Sequence, residues 1–219
     1  MTFKAPDSLS EQIADYLAER IIRGELAPGE RIQEQKVTQA LNVSRGSVRE
    51  ALLILERRHL IAILPRRGAH VTELDEHSVR SLCALMGEFY ILLGNAVAQK
   101  WRLEIDLRPF LDIQQRLRHA SDGQDIKAFV GESFAVMRAA YPFADNPYLQ
   151  ETVENLQPAM SRAYYLALDQ RQANMSDYLE LFARLLDAVV ARDLPRIREV
   201  LTAYCQRSCE LVLAALARA

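Results

Sequence analysis

The chain has 219 residues, half of them apolar, with 27 Lys and Arg against 29 Asp and Glu for a formal net charge of −2. That length builds one large or two modest domains with enough core to fold without covalent staples. No apolar run reaches about 18 residues, the N-terminus lacks an apolar signal core, and three cysteines are too few for a disulfide framework. A membrane span and export are therefore not expected, and a reducing cytoplasm is.

The charge is uneven. Residues 1–71 hold eleven Lys and Arg against nine Asp and Glu, and within 36–71 the balance is seven against two. A basic segment in an acidic chain implies a local contact with a polyanion.

In chain order, "SLSEQIADYLAERIIRGELAPGERI" predicts a helix and its stop. Ser8 and Glu11 have capping-box spacing, and Ile13, Leu17 and Ile21 form one apolar stripe. Gly24 ends the helix and Pro28-Gly29 makes a turn. "EQKVTQALNV" supplies a second, short helix with Val37, Ala40 and Leu41 inward and Asn42 as a left-handed stop. Ser44 caps a third helix, "SRGSVREALLILERR", which buries Val48, Leu52 and Leu55. Arg45 and Arg49, one turn apart, share its opposite face beside Ser47. "LIAIL" and "AHV" then read as strands joined by "PRRG", a hairpin with Arg66 and Arg67 at its tip and Gly68 permitting the turn.

Three helices followed by a basic hairpin describe a winged helix-turn-helix. Its third helix fits a major groove, with Arg45 and Arg49 able to bond guanine edges or phosphates. Arg66 and Arg67 can follow the backbone or enter the minor groove. Agreement of helix order, cap, turn and wing favours double-stranded DNA as partner over a merely solvated arginine face.

"TELDEHS" is short, polar and acidic, as a linker is. The expected division is a winged domain over 1–72, a linker over 73–78 and a helical domain over 79–219. This last part shows 3.6-residue apolar spacing in segment after segment, with breaks at Asp122-Gly123, at Asn146-Pro147 and around Asp193–Pro195. It predicts an all-α bundle of six to seven helices, so the whole chain is mainly α. Cys205 and Cys209, also one turn apart, have no ligand-spaced His or Cys beside them and read as packing thiols. The four histidines, His59, His70, His77 and His119, read as surface residues or, for His70, a wing position. There is no Gly-rich phosphate loop and no Ser or Cys nucleophile paired with His, so an enzyme is not expected.

"PGERI", "VSRGSVREALLIL" and "PRRGAHV" resemble the winged domain of the GntR family of bacterial transcription regulators almost position for position. One departure is Gln35, where members carry an Arg; the adjacent Lys36 can substitute only as a point charge. Gln35, Lys36, Ser44, Arg45, Ser47, Arg49, Arg66, Arg67 and Gly68 are the DNA-binding residues the resemblance implies. "NPYL" and "DAVVARDLPRIREVL" are similar to the effector domain of the family's FadR-type branch. That resemblance implies a homodimer, a short palindromic operator, repression, and a small molecule in the bundle that alters DNA affinity.

Many members of this branch hold a metal with one Asp and three His. The matching positions here are Gly131, Ala135, Phe182 and Tyr204, which cannot bind zinc that way, so no metal or other cofactor is expected. Charged residues found in carboxylate-binding members align with Met86 and Tyr90. With Phe134, Phe182 and Tyr204, these make a greasier cavity, which suits an acyl-CoA or fatty-acid-like effector. Arg138 and Arg162 are the candidates for its anionic head group, with ordinary intra-bundle ion pairs as the alternative for both. A small carboxylate effector, or an architectural DNA binder whose bundle only dimerises, stay open beside this reading.

Overall fold

The computed structural model describes residues 8–167 and 175–218. The chain folds as two compact units, Met1–Leu74 with Glu154–Tyr165, and Asp75–Val153 with Leu166–Ala219. The break after Leu74 falls inside the acidic stretch expected to be a linker. Only the first part of that stretch is irregular, because Glu76–Ser78 form the first turn of a helix capped by the Asp75 carboxylate. That bond, from the Ser78 N–H, pulls the Asp75 carboxyl below its ordinary range.

In the first unit, α1 (Leu9–Ile22) begins with the full capping box. Ser8 accepts from the Glu11 N–H while the Glu11 carboxylate accepts from the Ser8 N–H. α2 (Glu34–Leu41) stops at Asn42, whose φ of 51° is left-handed. α3 (Arg45–Arg57) starts at Ser44, whose Oγ accepts from the Ser47 N–H at 3.1 Å. Ile13, Leu17 and Ile21 of α1 meet Val48, Leu52 and Leu55 of α3 in one apolar core, with Val37 and Leu41 of α2 packed at its margin. Ala40, expected inward, is exposed, since a helix this short needs only one narrow stripe to seat it.

β1 (Arg31–Ile32), β2 (Ile61–Leu64) and β3 (Gly68–Val71) form an antiparallel sheet in the order β1-β3-β2. Ile61 pairs with Val71 and Leu64 with Gly68, while Arg31 pairs with His70. The period of two turns Ile61, Ala69 and Val71 into the core and leaves the hairpin tip in solvent. β1 has only two residues, too few for alternation to mark it in the sequence.

The second unit is helical: α4 (Glu76–Lys100), α5 (Glu104–Asp122), α6 (Ile126–Ala144), the start of α7 (Pro147–Leu166), α8 (Met175–Val190) and α9 (Leu194–Leu216). α4 is its central helix and packs on α6, α8 and α9. By length and composition it is apolar enough to cross a membrane, yet 44% of its most apolar stretch is already buried in the bundle, as a core helix requires. Gly87 and Gly94, two turns apart, let α9 come close. A Cβ on Gly94 would lie 3.0 Å from Ile197 Cγ2, and one on Gly87 3.3 Å from Cys205 Sγ.

Candidate nucleic-acid interface and effector cavity

The first unit exposes basic side chains at the start of α3, on α2 and at the hairpin tip. Arg45 and Arg49 project from the first two turns of α3, where the Ser44 cap holds the helix start. The Ser44 and Ser47 hydroxyls are 2.9 Å apart at the helix start, with Ser44 exposed and Ser47 half-buried. Gln35 and Lys36 are exposed on α2. Arg49 Nε donates to the Glu34 carboxylate at 3.0 Å; among the described residues Arg45 makes no ion pair.

At the wing tip the Arg67 N–H donates to the Leu64 carbonyl, closing a turn with Pro65 at its second position and Arg66 at its third. Arg66 takes a φ of 62°, a region that disfavours any residue with a Cβ, and Gly68 takes 85°. Holding a side chain there costs about 1 kcal/mol of strain. Arg31, within "PGERI", is a wing residue not among those expected from the sequence. Its pairing with His70 sets its guanidinium beside the hairpin, within 3.6 Å of where a Gly68 Cβ would be.

The second unit holds a partly open cavity of about 90 Å³ between α4, α5, α6, α8 and α9. Of the expected effector residues, Tyr90, Phe134, Phe182 and Tyr204 line it. Leu93, Val97, Phe110, Met137, Leu185 and Val200 complete a wall that is almost wholly hydrocarbon. Tyr178, not among the residues expected from the sequence, joins Tyr204 edge-on at 5.3 Å between ring centroids and stacks at 22° on Phe182, one turn along α8. Ser133 is the other polar residue on the wall, and its hydroxyl already donates to the Val130 carbonyl at 2.7 Å.

Three expected residues stand apart. Met86 is fully buried but does not line the cavity. Arg138 is exposed on α6, away from the lining. Arg162 belongs to the first unit, where its Nη1 donates to the Thr72 carbonyl at 2.8 Å and to the Thr72 hydroxyl at 3.1 Å. Its guanidinium is spent on those bonds, which answer the need of a buried cation for oxygen partners. A smaller chamber of about 30 Å³ shares Tyr178, Leu181 and Tyr204 with the main cavity and ends at Asp177, Arg207 and Ser208. Arg207 lies about one turn beyond Tyr204, but nothing in the periodicity marks it.

Of the four positions matching the family's metal ligands, Phe182 and Tyr204 lie on the cavity wall and Gly131 is exposed. Among the described residues no three His, Cys, Asp or Glu side chains gather to hold a metal ion. Burial pushes the Cys205 thiol up to about 12, with Cys209 and Glu88 adding to the effect. It therefore stays a protonated packing group.

An arginine-bearing second helix of a helix-turn-helix, backed by a basic wing, defines a DNA-binding regulator. Residues 9–71 match the family described as bacterial regulatory proteins, gntR family, and residues 94–207 match the FCD domain. The chain belongs to the GntR family, in its branch with an FCD effector-binding domain, and is a transcription regulator rather than an enzyme. It is 26% identical over 211 residues to the HTH-type transcriptional repressor RspR of Escherichia coli K12, covering 93% of this chain and 89% of that one. It is 27% identical over 184 residues to the gluconate operon transcriptional repressor of Bacillus subtilis 168, covering 82% and 72%. The solved structure of E. coli McbR/YncC has the same fold, with a TM-score of 0.79 at 21% identity over 95% of this chain and 99% of that one.

Proposed function

We propose that the protein is a homodimeric repressor of the bacterial cytoplasm that binds a short two-fold operator and changes its DNA affinity when an apolar-bodied metabolite enters the cavity. The observation that carries this reading is the presence in one chain of an exposed arginine face on α3 and an apolar cavity in the helical unit. The two relatives named as repressors support the direction of control.

The dimer is supported by α4. Leu85 and Leu92 are 45% and 54% exposed, and partly exposed Leu82, Phe89 and Ala96 continue them at alternating spacings of three and four. Such a stripe is the seam of a helix that meets another helix. A two-fold protein in turn reads two half-sites.

The wall of the cavity favours recognition by apolar burial, at about 25 cal/mol per Å² removed from water. Its volume bears on the class of ligand. About 90 Å³ is less than the roughly 150 Å³ of a protein cavity that holds benzene. Even a compact apolar body therefore needs the walls to give, and a long acyl chain needs the helices to part. Arg207, which lines the smaller chamber and pairs with Glu210 at 3.8 Å, is our candidate for an anionic end, in place of Arg138 and Arg162. The DNA residues are those expected, with Arg31 added.

The experiment is selection of duplexes from a random-sequence library by the full chain, followed by light scattering of the protein alone and on the selected duplex. A palindromic consensus bound by a dimer is expected, with Leu85→Glu plus Leu92→Glu giving a monomer. A monomer of wild-type chain at micromolar concentration, on and off DNA, contradicts the reading.

A further inference from the structure

We infer that Glu34 is a positioning residue for sequence recognition: its carboxylate holds the guanidinium of Arg49 so that the free edge of the fork reads guanine. The inference rests on the DNA-binding reading above and assigns a role to a residue that the reading does not use.

Glu34 opens α2, and Arg49 lies on the second turn of α3. Their side chains are 39% and 69% exposed, and Arg49 Nε donates to Glu34 Oε2 at 3.0 Å. A pair this open adds little to stability. It also sets a negative charge beside Arg49, on the helix that this reading brings to the phosphates. For a site built only on charge, that carboxylate is a fault, because each anion near the backbone weakens binding to any sequence.

The geometry gives it a use. A guanidinium carries five N–H donors, one on Nε and four on the terminal nitrogens. With Nε engaged by Glu34, the two terminal nitrogens remain available as the parallel pair that matches guanine O6 and N7. A long side chain held in its bound orientation also loses less rotamer freedom on binding. A carboxylate in the first turn of α2 is favoured by the positive end of that helix. Arg45, one turn earlier on the same face, has no such tether, so its charge suits phosphate contact better than base readout.

The two roles predict opposite signs. The full chain is titrated by fluorescence anisotropy against its library-selected duplex and a scrambled duplex, as wild type, Glu34→Gln and Arg49→Lys. Loss of the carboxylate in Glu34→Gln should raise affinity for the scrambled duplex by about two- to fivefold at low salt. It should lower discrimination between the duplexes by on the order of tenfold. Arg49→Lys keeps the charge but breaks the fork, so discrimination should fall similarly. Replacing the contacted guanine by 7-deazaguanine should weaken the wild type and have less effect on Glu34→Gln. Parallel loss of both affinities in Glu34→Gln would mark a purely structural pair and overturn the inference, as would undiminished discrimination in both variants. If the wild-type chain selects no sequence at all, the DNA-binding reading fails, and this one with it.

Discussion

Ala140→Leu tests the cavity directly. Ala140 sits on α6, is 4% exposed and lines the apolar wall. An unfilled hole penalises a fold by ~24 cal/mol per Å³, so about 90 Å³ corresponds to roughly 2 kcal/mol of unrealised packing. A leucine seated there should recover about 1 kcal/mol, because part of the gain is lost to imperfect fit and to side-chain ordering. Urea unfolding of the isolated protein should show the midpoint rising with an unchanged slope. Calorimetry with phenylacetate, octanoate and succinate completes the test. Any of the first two that binds the wild type should lose affinity at least tenfold in the variant, while operator affinity without ligand stays the same. Destabilisation by more than about 1 kcal/mol would mean that the space is not there. Equal binding of an apolar ligand to both proteins would mean that the effector sits elsewhere.

Ser44→Ala removes the cap of α3 and should cost about 1 kcal/mol of stability in denaturant titration, with a further loss of operator affinity from fraying of the helix start. Arg66→Gly relieves a left-handed backbone and should stabilise the protein by about 0.5–1 kcal/mol, while weakening DNA of every sequence and flattening its salt dependence. Cys205, raised to about 12 by burial, should stay unalkylated by iodoacetamide at pH 8 in the native protein and react once urea unfolds it. Rapid native labelling at Cys205 would contradict its placement.

The fold is legible wherever a local rule decides the outcome. Ser8 with Glu11, Ser44 with Ser47, and the left-handed Asn42 each signal a helix end through atoms a few residues apart, and all three are formed. The apolar faces of α1 and α3 follow from their 3.6-residue stripes. The site is legible more selectively. Tyr90, Phe134, Phe182 and Tyr204 follow from resemblance and do line the cavity. Arg162 does not, because periodicity gives the face of a helix and not what that face meets; its partner Thr72 lies 90 residues away. The placements of Arg31, although it lies within "PGERI", and of Glu34 are not legible for the same reason. One is brought to the wing by a two-residue strand, and the other matters through an ion pair fifteen residues off.

The most direct measurement is the affinity of the full chain for its selected operator across a salt series, for wild type and for Arg45→Ala with Arg49→Ala. Major-groove recognition by α3 predicts that the double variant loses on the order of 2–5 kcal/mol on the operator, converges on its scrambled-duplex affinity and shows a shallower salt slope. An operator affinity and slope unchanged in the double variant would contradict it.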